Sequence, residues 1–255
     1  FIVAMLWSWS SYMWGDQMVL MSMSARPANP YEHRRLINIV EEMCIAARLP
    51  VPKVYVIDSP ASNAFATGRN PQNASIAVTT GLLELLNRDE LQGVIGHELS
   101  HIKHYDILYG TIMATLVGAV ALMCDMFWRT ARYVRWKKEN APFLLIGVVL
   151  AILAPIFAML IQMAMSRQRE YLADLGSAEL TRNPGALADA LEKIAGDPDP
   201  LEVSNRGAQH LFIISPAMSL STKTSNLFST HPPIEKRIQI LRDLAGTPAY
   251  KKPKL

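Results

Sequence analysis

Between Pro30 and Leu49 the apolar residues Leu36, Ile39, Val40, Met43 and Ala47 recur at intervals of three and four, opposite Arg34, Arg35, Glu41 and Glu42. That period predicts an amphipathic surface helix. The pattern then shortens. KVYVI, after Pro50 and Pro52, is a β-branched run that predicts a strand, and SIAVTTGLL predicts a second strand stopping at Gly81. The intervening SPASNAFATGRNPQNA is rich in turn residues and reads as a loop. Leu82 to Leu86 suggests a short helical turn. Asn87 then caps a new helix, with Asp89 and Glu90 in its first turn, where negative charge suits the helix dipole.

Two long apolar stretches follow. Residues 107–128 carry one acidic side chain, Asp125, near their far end, and residues 142–165 carry no charge, with Gln162 as their strongly polar group. At about 1.5 Å per residue, each is long enough to cross a hydrocarbon core of about 30 Å. Pro155 would kink the second, which membrane helices tolerate. The competing reading is two buried helices of a large soluble core, where uncharged runs of this length are unusual. The chain opens inside a further apolar run, FIVAMLWSWSSYMW, whose Trp7, Trp9 and Trp14 precede Gly15 and Asp16 as aromatics do at a membrane interface. It reads as the end of a membrane helix with a segment expected before it. Past residue 165 polarity returns: SRQREYLADLGSAEL and ALADALEKIAG predict helices, roughly 198–225 a loop, and PPIEKRIQILRDL a last amphipathic helix.

Composition agrees with lipid contact, since half of the 255 residues are hydrophobic and 18% are charged, with a mean hydropathy of +0.14. A net charge of +3, without a basic run interleaved with aromatics, gives no nucleic-acid surface. Cys44 and Cys124 lie in unlike surroundings and make neither a disulfide framework nor a cysteine zinc site; both are expected to be buried thiols.

The chemistry is concentrated in H-E-L-S-H. On a helix, the four-residue step puts His97 and His101 on one face, one turn apart and aimed at a common point, where a zinc ion fits. Glu98 lies beside the first histidine, placed to take a proton from water without being a ligand, and a catalytic zinc brings the pKa of that water to about 7. So short a pattern also arises by chance. A catalytic zinc takes three protein ligands, and Glu170 in R-E-Y-L-A-D is a candidate third, with Asp174 one turn further on to accept the free N–H of a ligating histidine. Taken alone, Glu170 and Asp174 also fit a solvated helix face paired with Arg167 and Arg169. Two apolar crossings between His101 and Glu170 would return the chain to the side it left, so both halves of the site can meet.

Taken together and in order, NAFATG, HELSHIKHYD, SRQREYLADLGSAEL and STHPPIEKRI resemble the HtpX-type membrane metallopeptidases, relatives of the CAAX prenyl endopeptidases, from about Ser24 to Leu241. The resemblance implies a mainly α fold with a small β-sheet, a gluzincin-like zinc protease domain interrupted by a transmembrane helical hairpin. It implies one zinc per chain on His97, His101 and Glu170, with Glu98 as catalytic base. It further implies peptide or membrane-protein substrates, cut in the quality control of misfolded or damaged membrane proteins. An edge strand in such enzymes binds substrate backbone by β-augmentation, and the segment matched to it here is Ser75, Ile76, Ala77, Val78 and Thr79, together with Asn63. His231 falls where it would donate to the oxyanion, although a histidine before two prolines also serves as a helix cap. Asp106 either supports the HELSH helix or is a plain charge at a membrane boundary. His33 and His104 are expected at the surface.

The expected organisation is the end of a membrane helix (1–20), the first part of the protease domain (21–106), two membrane helices (107–165) and the second part of the domain (166–255). The resemblance places the site on the cytoplasmic side of a multi-pass protein in the cell membrane. Arg129, Arg132, Arg135, Lys137 and Lys138 between the apolar stretches argue the opposite by the positive-inside rule; the orientation adopted is the one the resemblance implies. A catalytically silent scaffold of the same fold is the alternative function, and a transporter is disfavoured by the uncharged second stretch. The oligomeric state is not legible.

Overall fold

Asn87 begins the helix that carries HELSH. Its side chain accepts the N–H of Glu90 while the Glu90 carboxylate accepts the N–H of Asn87, a reciprocal capping box. Lys193 adds a 2.8 Å ion pair to the same carboxylate. In this computed structural model, residue 14 and residues 16–109, 123–129, 141–197 and 232–246 are described. The helices are α1 (Arg34–Ala47), α2 (Thr80–Leu85), α3 (Arg88–Lys103), α4 (Ala141–Thr181), α5 (Pro184–Ala195) and α6 (Ile234–Leu244), and the strands are β1 (Arg26–Pro27), β2 (Lys53–Ile57), β3 (Ala64–Gly68) and β4 (Ala74–Thr79).

The fold is mainly helical with one mixed sheet, ordered β1-β2-β4-β3. β2 runs parallel to β4, and β3 pairs with β4 antiparallel, Ala64 opposite Val78 and Ala66 opposite Ile76. Strand alternation gives the sheet two covered faces. Val56, Ala64, Ala66, Ile76 and Val78 join the helical core. Ile57, Phe65 and Ala77 point the other way, onto Leu20 and Met23 at the end of a helical segment, 16–22.

Three expectations change here. NAFATG, read as loop, supplies β3: its alanines and glycine carry little strand propensity of their own, and the ladder with β4 imposes the conformation. Ser75–Thr79, matched to an edge strand, lies inside the sheet between β2 and β3 and is buried throughout, so no further strand can add to it. The strand also ends at Thr79 and does not run to Gly81, because the Thr79 side chain accepts the N–H of Leu82 and starts α2. Cys44 is buried as expected, and Cys124 is half-buried.

α4 is one helix of 41 residues, and it carries the second apolar stretch straight into the segment bearing Glu170. The boundary expected at 165/166 falls inside it. Among the described residues no helix is long and apolar enough to cross a membrane; residues 110–122 and the side chains of 141–146 and 157–166 lie outside that set. α3 packs against α4, α5, α1 and β3. Small residues allow the closest approach: a Cβ on Gly176 would fall 2.3 Å from the Ser100 hydroxyl oxygen, and Ser177 donates to the Gly93 carbonyl at 2.6 Å. Serine and glycine at these positions bring α4 near enough for its side chains to reach the imidazoles of α3.

Candidate metal centre

His97 and His101 face each other across one turn of α3, their Nε2 atoms 3.1 Å apart. Glu170 of α4 completes the triangle, at 3.7 Å from His97 Nε2 and 3.5 Å from His101 Nε2. The other nitrogen of each ring is already engaged: His97 Nδ1 lies 2.9 Å from Asp174 Oδ1 and His101 Nδ1 lies 2.8 Å from Asp106 Oδ2. Since a carboxylate only accepts, each Nδ1 carries the proton and each Nε2 presents a lone pair. Two imidazole lone pairs and a carboxylate thus converge on one point, an arrangement that is repulsive unless a cation occupies it. Zinc bonds of about 2.0–2.1 Å in a tetrahedron separate neighbouring ligand atoms by about 3.3 Å, so this donor set fits zinc. Burial lowers the His97 pKa and keeps the ring neutral, as a ligand must be.

Glu98 points beside this triangle. Burial raises its pKa from an ordinary 4.5 to about 7, with His101 pulling it down and Glu170 pushing it up, while a backbone hydrogen bond from Ala66 of β3 favours the ionised form. Asp174 is set otherwise. Burial alone would raise its pKa, but Arg237 of α6 outweighs burial and holds the carboxyl below its usual range. The Arg237 guanidinium binds Asp174 through Nε at 2.8 Å and Nη2 at 2.7 Å, and its Nη1 lies 3.3 Å from Glu170. One arginine therefore bridges the candidate third ligand and the carboxylate behind His97.

The family model described as Peptidase family M48 matches residues 30–245. The chain belongs to peptidase family M48. Among its relatives, the protease HtpX homolog of Caldanaerobacter subterraneus subsp. tengcongensis is 46% identical over 251 residues, covering 95% of this chain and 83% of that protein. The protease HtpX homolog of Thermococcus kodakarensis is 44% identical over 256 residues, with 96% and 85% covered. The crystal structure of S. mikatae Ste24p superposes with a TM-score of 0.61 at 19% identity, and its fold is shared; the match covers 94% of this chain, which spans 57% of that one. This M48 peptidase is thus a zinc metalloendopeptidase, an enzyme acting on protein substrates.

The structure brings His97, Glu98, His101, Glu170 and Asp174 together. His231 lies outside the described residues. Asn63 is buried and ties the start of β3 to the end of β4: its N–H donates to the Thr79 hydroxyl at 2.9 Å, and the Thr79 N–H donates to its carbonyl at 3.0 Å. Arg237 was missed, although a signal existed. Ile234, Ile238 and Leu241 form the apolar stripe of α6, and Arg237, three residues after Ile234, falls inside it. A charge within an apolar stripe requires a buried partner. Asp106 was read either as a support of the HELSH helix or as a plain charge at a membrane boundary, without the arginine that accompanies it.

Proposed function

We propose that this M48 peptidase is membrane-bound, holds one zinc on His97, His101 and Glu170, and cuts misfolded or damaged membrane proteins with Glu98 as general base. The observation that carries the site assignment is the convergence of three lone-pair donors whose opposite ring nitrogens are both committed to carboxylates. Zinc, when bound, polarises the scissile carbonyl and acidifies the attacking water. Glu98 takes a proton from that water and later passes it to the leaving amine, a double role that suits a carboxyl poised at about 7. Asp174 and Arg237 keep the His97 ring in its ligating tautomer.

The substrate strand is reassigned to β3. Among the described residues it ends the sheet, and the Ala66 N–H reaches Glu98, so a peptide laid along β3 would run past the catalytic carboxylate. In an antiparallel ladder alternate residues direct their backbone groups to the same side. With the Ala66 N–H turned toward Glu98, the outward groups belong to Ala64, Ala66 and Gly68. Substrate pairing there is β-augmentation. Membrane attachment rests on the two apolar stretches of spanning length between His101 and Glu170.

The test uses the purified chain in detergent with an unfolded membrane protein as substrate. Glu98→Gln is expected to keep its zinc and lose cleavage by at least about a hundredfold. Cleavage by Glu98→Gln at the parent rate would remove Glu98 from catalysis.

A further inference from the structure

The two histidines are braced by separate carboxylate–arginine pairs, and the arginine of the second pair has no part in the mechanism above. Behind His97 stand Asp174 and Arg237, with side chains 3% and 1% exposed. Behind His101 stand Asp106, at 2.8 Å, and Arg169, whose Nη1 pairs with the other oxygen of Asp106. The guanidinium of Arg169 lies over the ring of Tyr109, 3.7 Å from its centroid, a stacked cation–π contact. This second brace is partly open to solvent, with the Arg169 side chain 26% exposed.

Its members come from both ends of the interrupted region. α3 stops at Lys103, and Tyr105 adopts the left-handed conformation, φ 59°, which L-residues seldom enter. That reversal brings Asp106, five residues after His101, back to the Nδ1 of its ring. Tyr109 stands at the start of the first apolar stretch. Arg169 stands just past the end of the second, immediately before Glu170 on α4. A single cluster thus joins the entry to the apolar region, its exit and one imidazole of the metal centre.

We infer that Asp106, Arg169 and Tyr109 are positioning residues for His101, forming a clamp between the start of the first apolar stretch and the segment just past the second, and that this clamp sets metal affinity. Asp106 fixes the tautomer and plane of the ring, Arg169 fixes Asp106, and the Tyr109 ring fixes the guanidinium. Displacing Tyr109 releases Arg169, then Asp106, and the His101 ring gains freedom that weakens its hold on the metal.

The experiment titrates Co2+ into the metal-free full chain in detergent, following visible absorption, with circular dichroism as the check on folding. It rests on the reading of His101 as a ligand, so His101→Ala is included. Asp106→Asn is expected to weaken Co2+ binding by about 10–100-fold and to alter the absorption band at saturation. Tyr109→Ala should weaken binding about two- to fivefold, the size of a cation–π contact, while Tyr109→Phe, which keeps the ring, should match the parent. Asp106→Asn with parent affinity and an unaltered band would overturn the clamp. If Asp106→Asn does not fold, the Tyr109 pair decides, and equal affinity in Tyr109→Ala and Tyr109→Phe overturns it. His101→Ala with full Co2+ affinity would overturn the ligand reading as well; His101→Ala that loses Co2+ beside an unaffected Asp106→Asn sinks the clamp alone.

Discussion

Glu98 and Asp174 are equally buried, each 2% exposed, beside the same metal centre. On the side facing β3, burial acts on Glu98 against a backbone N–H, and its pKa rises to about 7. On the side facing α6, Arg237 grips Asp174 with two nitrogens and holds its carboxyl below the ordinary range. The same degree of burial therefore yields one carboxylate able to carry a proton near neutral pH and another that stays ionised as scaffold. Placement of a single guanidinium separates a catalytic acid–base from a support.

Breaking the α6 side should have the largest effect. Arg237→Met removes the cation from two buried carboxylates, and unpaired buried charge of this kind costs about 3–5 kcal/mol. The metal-free variant should melt well below the parent in a thermal scan followed by tryptophan fluorescence. An unchanged melting point would mean that something other than Arg237 keeps Asp174 ionised.

The β3 side should respond with the opposite sign. A carboxyl whose folded pKa is raised above its unfolded value contributes stability below about 4.5 and loses it as pH climbs to about 7. In metal-free protein Glu98→Gln is therefore expected to be more stable than the parent at pH 8, by up to about 3 kcal/mol, and no more stable at pH 4. A gain that does not depend on pH would deny that Glu98 is the group responsible.

Gly176→Ala sharpens the comparison by disturbing both sides together, because Glu98 rides on α3 and Asp174 on α4. Its new methyl would collide with Ser100, so α4 must lift from α3. The expected cost is about 1–3 kcal/mol, with zinc affinity reduced. A Gly176→Ala chain that melts and binds zinc like the parent would show that the helices have room to spare.

Local signals made much of this site legible in the sequence. The Asn87–Glu90 cap, the HELSH step and the one-turn spacing of Glu170 and Asp174 are all set within a few residues, and the structure repeats them. Long-range pairing was not legible. β3 is a strand because β4 lies beside it, and Ser75–Thr79 lost its expected place at the edge for the same reason. Arg237 stands 63 residues from Asp174, and Arg169 pairs with Asp106 across the whole apolar region. Only the three-dimensional fold selects such partners, although an arginine in the apolar stripe of α6 announces that one exists.

The most direct test of the metal centre is the zinc content of the purified chain by mass spectrometry, beside Glu170→Ala in the same detergent. The expected result is about one zinc per chain, lost in the variant. Equal zinc in both would contradict a centre built from His97, His101 and Glu170.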